Sequence, residues 1–133
     1  SSDLLYKGAL DGASRAAFRG IIRVLPGAQG TDAYQTNRNL LLSPESRADS
    51  LPNLEIEADD VKCSHGATVG QIDQDATFYL RSRGIPHSEA RSLLTYAFAA
   101  DILERIEVEA LRNRLEDDLR RWLSSNVEIE ENA

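Results

Sequence analysis

The sequence predicts a strand-rich half followed by a helical half, with the change near residue 72. Three observations predict it. Before that point apolar residues recur with a period of two. Beyond it they recur at spacings of three and four. The strand-like stretches are separated by turn chemistry, with no helical stretch between them.

In the stretch AAFRGIIRVL, Phe18, Gly20, Ile22 and Val24 point one way, while Arg19, Ile21 and Arg23 point the other. LPGAQG then places Pro-Gly where a type II turn wants them. SPESRADSLPN is a loop by composition. In LPNLEIEADDVKC, Leu54 and Ile56 alternate with Glu55 and Glu57, as in a strand with one solvated face. DQDATFYLRSRG opens on acids and closes on Arg81, Arg83 and Gly84, which suits the two ends of a helix. Pro86 separates it from the next helix, SEARSLLTYAFAADILERI. That segment carries Ala90, Leu93, Leu94, Ala97 and Phe98, is apolar almost all round, and is expected to be the buried central helix. The last helix shows a stripe of Val108, Leu111, Leu115, Leu119 and Trp122. NVEIEENA is expected to be a frayed acidic tail.

The chain has 133 residues, about one domain's worth, and its apolar fraction of 41% is enough for a core. A net charge of −7 argues against nucleic acid and against an anionic membrane surface as partners. No apolar run is long enough to span a bilayer, and no secretion signal is visible. One cysteine makes no intrachain disulfide, which fits a reducing compartment. The chain contains no methionine, even at position 1, so a fragment or processed product is expected.

Cys63 and His65 are the chemically distinctive residues. On a strand they share one face with Val61, while Lys62 and Ser64 share the other. From spacing alone the favoured reading is Cys63 as a small buried hydrophobe, with His65 at a strand end before Gly66. A zinc site needs about four ligands, and no neighbouring motif supplies the rest. A thiolate nucleophile needs a base held by a third group, and none can be named. Glu55, Glu57, Asp59 and Asp60 read as a solvated strand face rather than an acid–base pair. No phosphate-cradling glycine motif is present. The Trp122 stripe is ordinary helix packing, or a face for a partner helix or groove.

Two stretches carry a family resemblance. AYQTNRNLLLSPESRADSLPNLEIEADDVKCSHGATVGQID, followed by DATFYLRSRGI and EARSLLTYAFAADIL, resembles the C-terminal part of the SufB/SufD family of the SUF iron–sulfur cluster assembly system. The resemblance runs through most of residues 14 to 106. Within the family the chain resembles the SufD branch. The SufB branch has a Glu-His-Glu run at the segment of Lys62 to His65 and a cluster-building cysteine near the position of Thr36.

The resemblance implies a β-solenoid plus α architecture. Residues 1–72 would be the C-terminal end of a right-handed parallel β-helix, and residues 73–133 a small helical domain. It implies a non-catalytic scaffold subunit that pairs with SufB through its last strands and binds the SufC ATPase through its helices. His65, with Cys63 beside it, would lie at the SufB junction, contacting the nascent iron–sulfur cluster or its iron. Among metal-ligating residues, His65 is the candidate. No cofactor is expected on the isolated chain, which is expected to form a homodimer through its strand edge (residues 31–42 and 51–66). The compartment would be the cytoplasm or a plastid stroma. The rival reading is a stand-alone metal-dependent hydrolase on a β-solenoid, using His65, Cys63 and the nearby acids.

Overall fold

The computed structural model describes residues 1–127. They fall into two compact units, Ser1–Gln71 and a second beginning at Ile72. The first unit holds five strands: β1 (Ser2–Leu10), β2 (Arg15–Val24), β3 (Thr31–Leu41), β4 (Arg47–Ile56) and β5 (Val61–Gln71). All pairings are parallel. One sheet has the order β1-β3-β5 and the other is the pair β2-β4, so consecutive strands alternate between sheets.

This corrects the expected fold class. The strands form two parallel sheets followed by three helices, and no solenoid, hence no β-helix, is indicated. The physical reason is that period-two alternation specifies a strand with one buried face and says nothing of how successive strands are wound. The winding came from the resemblance alone.

The alternation is realised in β2 and breaks at the end of β4, where Glu55 is part-buried and Ile56 is 43% exposed. Val24 is buried and Phe18, Gly20 and Ile22 are part-buried, whereas Arg19, Ile21 and Arg23 are exposed. The Pro-Gly turn closes through the Ala28 N–H, which donates to the Leu25 carbonyl at 3.1 Å. Across the sheets Tyr6 of β1 meets Phe18 of β2 at 5.1 Å between ring centroids, within the range favoured by tilted aromatic pairs.

The interior of this unit is only partly apolar. Gln35, Asn37 and Asn39, at alternate positions of the central strand β3, are all buried. Asn39 Nδ2 donates to Asn37 Oδ1 at 2.7 Å, and Asn37 Nδ2 reaches the Tyr6 carbonyl at 3.5 Å, a weak contact. Gln35 Nε2 is buried with no hydrogen-bond partner.

The second unit holds α1 (Gln74–Ser82), α2 (His87–Leu103) and α3 (Glu109–Val127). Asp73 caps α1, its side chain accepting from the Asp75 N–H at 2.9 Å. At the other end Gly84 has φ +87°, its N–H donates to Arg81 O, and the Ile85 N–H donates to Leu80 O. That pair of bonds is a Schellman close, and it needs the left-handed conformation glycine adopts without penalty.

The helical core differs from its expected membership. In α2 the buried positions are Ala90, Thr95 and Leu103; Leu93 is 43% exposed and Ala97 is also exposed. In α3 Leu123 is buried, while Leu111 and Trp122, and Val108 just before the helix, are exposed. A helix that is apolar nearly all round gives periodicity no single stripe to find, and packing against α3 selects the face. Leu103→Ala should therefore cost about 2–5 kcal/mol, as for a buried leucine. Leu93→Ala should stay within about 1 kcal/mol. Thermal denaturation of the two variants checks the order; equal losses would place Leu93 in the core. Of the acidic tail expected to fray, residues 126–133, Asn126 and Val127 belong to α3, and residues 128–133 lie outside the described residues.

Candidate functional site

Strand β5 carries Cys63 and His65, and it lies at the edge of its sheet with β3 on one side only. Its register pairs Ala33 with Cys63, Gln35 with His65 and Asn37 with Ala67. In a parallel pair, residues in register share a face. Cys63 and His65 therefore stand on the same face as the buried amides of β3. Because no further strand covers β5, Cys63 is only part-buried and His65 is exposed. The reading of Cys63 as a fully buried small hydrophobe does not hold, whereas the sharing of one face with Val61 does.

Among the described residues, no three His, Cys, Asp or Glu side chains converge on a point that could hold a metal ion. His65 and Cys63 thus have no third such ligand among them. Glu55 lies in register with Arg23 on the neighbouring strand and pairs with it, Arg23 Nε to Oε2 at 2.6 Å. A pair so exposed is worth at most about 1 kcal/mol. Glu57, Asp59 and Asp60 are exposed. Asp60 contributes backbone bonds, donating its N–H to Gln29 Oε1 and accepting from the Gly30 N–H. These acids serve the strand surface and its turn.

On β3, next to β5, Tyr34 carries a clear electrostatic perturbation. A side-chain hydrogen bond with Asp32 raises its pKa above the ordinary tyrosine value; the charge of Asp32, some desolvation and nearby Cys63 act in the same direction.

Two features escaped the sequence reading. The buried amides of β3 were hidden because Gln35, Asn37 and Asn39 make a polar alternation, and periodicity arguments look for apolar ones. The other is a depression at the elbow between α1 and α2, about 480 Å3, lined by Phe78, Arg81, Ile85, Pro86 and His87 among others. Its only sequence signal is an aromatic residue followed by a glycine-closed helix end. Among the described residues no helix is long and apolar enough to cross a membrane.

Comparison with known proteins gives the family. A family profile described as "SUF system FeS cluster assembly, SufBD core domain" matches residues 1–98. The iron-sulfur cluster assembly protein SufD of Escherichia coli is 47% identical over 115 residues, covering 86% of this chain and 27% of that protein. The SufD of Bacillus subtilis is 37% identical over 112 residues, 84% of this chain and 26% of that protein. A chloroplastic protein of Arabidopsis thaliana is 39% identical over 106 residues, 80% of this chain and 22% of that protein. The chain thus spans about a quarter of the length of these curated relatives.

Proposed function

The chain belongs to the SufBD family of SUF-system iron–sulfur cluster assembly proteins, and from that premise we propose that it is part of a non-catalytic scaffold subunit of a SufB–SufC–SufD complex. In this reading SufB pairs with the free edge of β5, and the SufC ATPase docks on the helical unit and supplies ATP hydrolysis. SufB contributes the cluster-building cysteine and this chain contributes His65, with Cys63 beside it. The nascent iron–sulfur cluster is the cargo, not a resident cofactor. The setting is a reducing one, bacterial cytoplasm or plastid stroma.

One observation carries the reading. His65 is exposed on β5, an edge strand whose outer side is unpaired among the described residues. Such a residue suits a site that a second chain completes. Neutral imidazole is a good ligand for iron at physiological pH. The hydrolase reading has no such support, because its acids face solvent or Arg23.

In the complete complex, His65→Ala should lower cluster formation while leaving the subunits assembled. Cluster content can be followed by visible absorbance and iron analysis, and assembly by size-exclusion chromatography. A mutant complex that builds clusters at the wild-type rate would remove His65 from the site. One that fails to assemble would make His65 structural.

A further inference from the structure

The two sheets of the strand unit end in different kinds of edge. Strand β4 pairs with β2 alone, so among the described residues its other side is unpaired. In the middle of that strand stands Pro52, in register with Gly20 and with unshifted pairing on both sides. A proline inside a strand removes one backbone donor. The consequence depends on which side of the strand loses it.

The hydrogen bonds at the two ends of β4 decide the side. The Arg47 N–H donates to Ser14 O at 3.0 Å, and the Glu57 N–H donates to Val24 O at 2.9 Å. Successive residues of a strand direct their N–H and C=O groups to alternate sides. With no shift of register between those two bonds, Asp49, Leu51, Asn53 and Glu55 also face β2. Ala48, Ser50, Pro52, Leu54 and Ile56 then face the free edge. The ladder with β2 loses nothing at Pro52, and the missing donor belongs to the outer side. There the ring carbon Cδ stands where a hydrogen would point. An incoming strand meets the donors of Ala48 and Ser50, then a gap filled by the ring, then the donors of Leu54 and Ile56.

This edge is one that needs closing. On the outer face of the β2–β4 pair, Ile21 is 62% exposed and Leu51 is 60% exposed. An apolar strand pair with a continuous row of free backbone groups is a template for association. Strand β5, by contrast, runs for 11 residues with no proline. We infer that Pro52 closes the outer edge of the β2–β4 sheet to strand addition, so that an added strand is confined to the sheet that ends in β5.

The test is amide hydrogen exchange, read residue by residue on the whole chain over a concentration series, together with sedimentation. In the wild type, Ala48, Ser50, Leu54 and Ile56 should exchange at rates independent of concentration, while Leu51 and Asn53 stay protected throughout. Pro52→Val restores the outward donor and keeps an apolar, strand-favouring side chain. It should tighten self-association roughly tenfold or more, the worth of one or two ladder bonds. Ala48, Ser50, Leu54 and Ile56 should then become protected as concentration rises. Adding Ser50→Pro to Pro52→Val puts a gap back on the outward side and should reverse both effects. Concentration-dependent protection of the four outward amides in the wild type overturns the inference, whatever the variants do. So does a Pro52→Val chain that keeps Leu51 and Asn53 protected yet associates no more tightly than the wild type. Tightening that survives Ser50→Pro comes from the valine side chain rather than its N–H, and also overturns it. If Pro52→Val does not fold, the wild-type exchange series decides alone.

Discussion

Gly20→Ala is expected to destabilise the strand unit by about 1–3 kcal/mol, the usual cost of overpacking a filled interior. Gly20 lies in β2 with its face toward β3, and a Cβ built there would stand 2.6 Å from Cδ and 2.9 Å from Oε1 of Gln35. Contacts under about 3 Å force something to move. Gln35 is 3% exposed, so its carboxamide has little room to retreat. It is not held by a hydrogen bond through Nε2, which has no partner, so displacing it breaks nothing on that nitrogen. Two effects oppose each other. Alanine gains about 0.5–1 kcal/mol over glycine in a strand interior, and the clash removes more. The double variant Gly20→Ala/Gln35→Ala separates them, because it keeps the methyl group and removes the amide. Gln35→Ala should then cost less in the Gly20→Ala background than in the wild type, a coupling readable by a double-mutant cycle from urea denaturation. Additive losses, or a Gly20→Ala protein as stable as the wild type, would show that Gln35 has another place to go.

That contact also shows where sequence reasoning stops. Phe18, Ile22 and Val24 could be assigned to one face of a strand because apolar side chains mark the buried side by their chemistry. Gln35, Asn37 and Asn39 are more buried than Phe18 and Ile22, yet their chemistry points to solvent, and only the partner strands reveal them. Gly20 falls on the apolar face of an alternating pattern, where it looks like a gap; the structure shows the gap is filled by an amide from another strand. The helices show the same limit. The caps at Asp73 and Gly84 are local devices and were legible. The choice of Leu103 and Leu123 over Leu93 and Trp122 is made by neighbouring helices, which no window of one helix contains.

The candidate site was legible in its residues and not in its setting. Two side chains two apart on a strand must share a face, so the pairing of Cys63 and His65 follows from the backbone alone. Whether that face is open depends on the place of β5 in the sheet. Strand order is set by contacts between residues far apart in sequence, β3 with β5, and a parallel order leaves no hairpin signature to read. The expected pairing surface, residues 31–42 and 51–66, is corrected for the same reason. β3 is paired on both sides and has no free edge, and the segment at 51–56 belongs to the other sheet.

On its own the chain should self-associate through β5, giving a dimer in light scattering at micromolar concentration. The strand is 11 residues long with one edge unpaired, and such edges template further pairing. A two-fold axis between two identical edges makes the new pair antiparallel, since the same surface must serve both copies. With full overlap the axis passes near Gly66, the strand's midpoint, and brings the two copies of His65 close together. Up to about ten ladder hydrogen bonds at a net 0.5–1.5 kcal/mol each give roughly 5–15 kcal/mol. The loss of rigid-body freedom costs about 4–15 kcal/mol. The terms are comparable, so burial of the 46%-exposed Val69 and its neighbours tips the balance. Net charge of −7 on each copy opposes the dimer only weakly at physiological salt, where screening acts over about 8 Å. Val69→Lys puts a desolvated charge at that edge and should return the chain to monomer. Leu4→Lys on β1, at the other edge of the same sheet, should leave the dimer intact. A wild-type chain that is monomeric at micromolar concentration would show that the β5 edge alone does not suffice and needs a different chain's side chains opposite it. A dimer broken by Leu4→Lys and not by Val69→Lys would move the contact to β1.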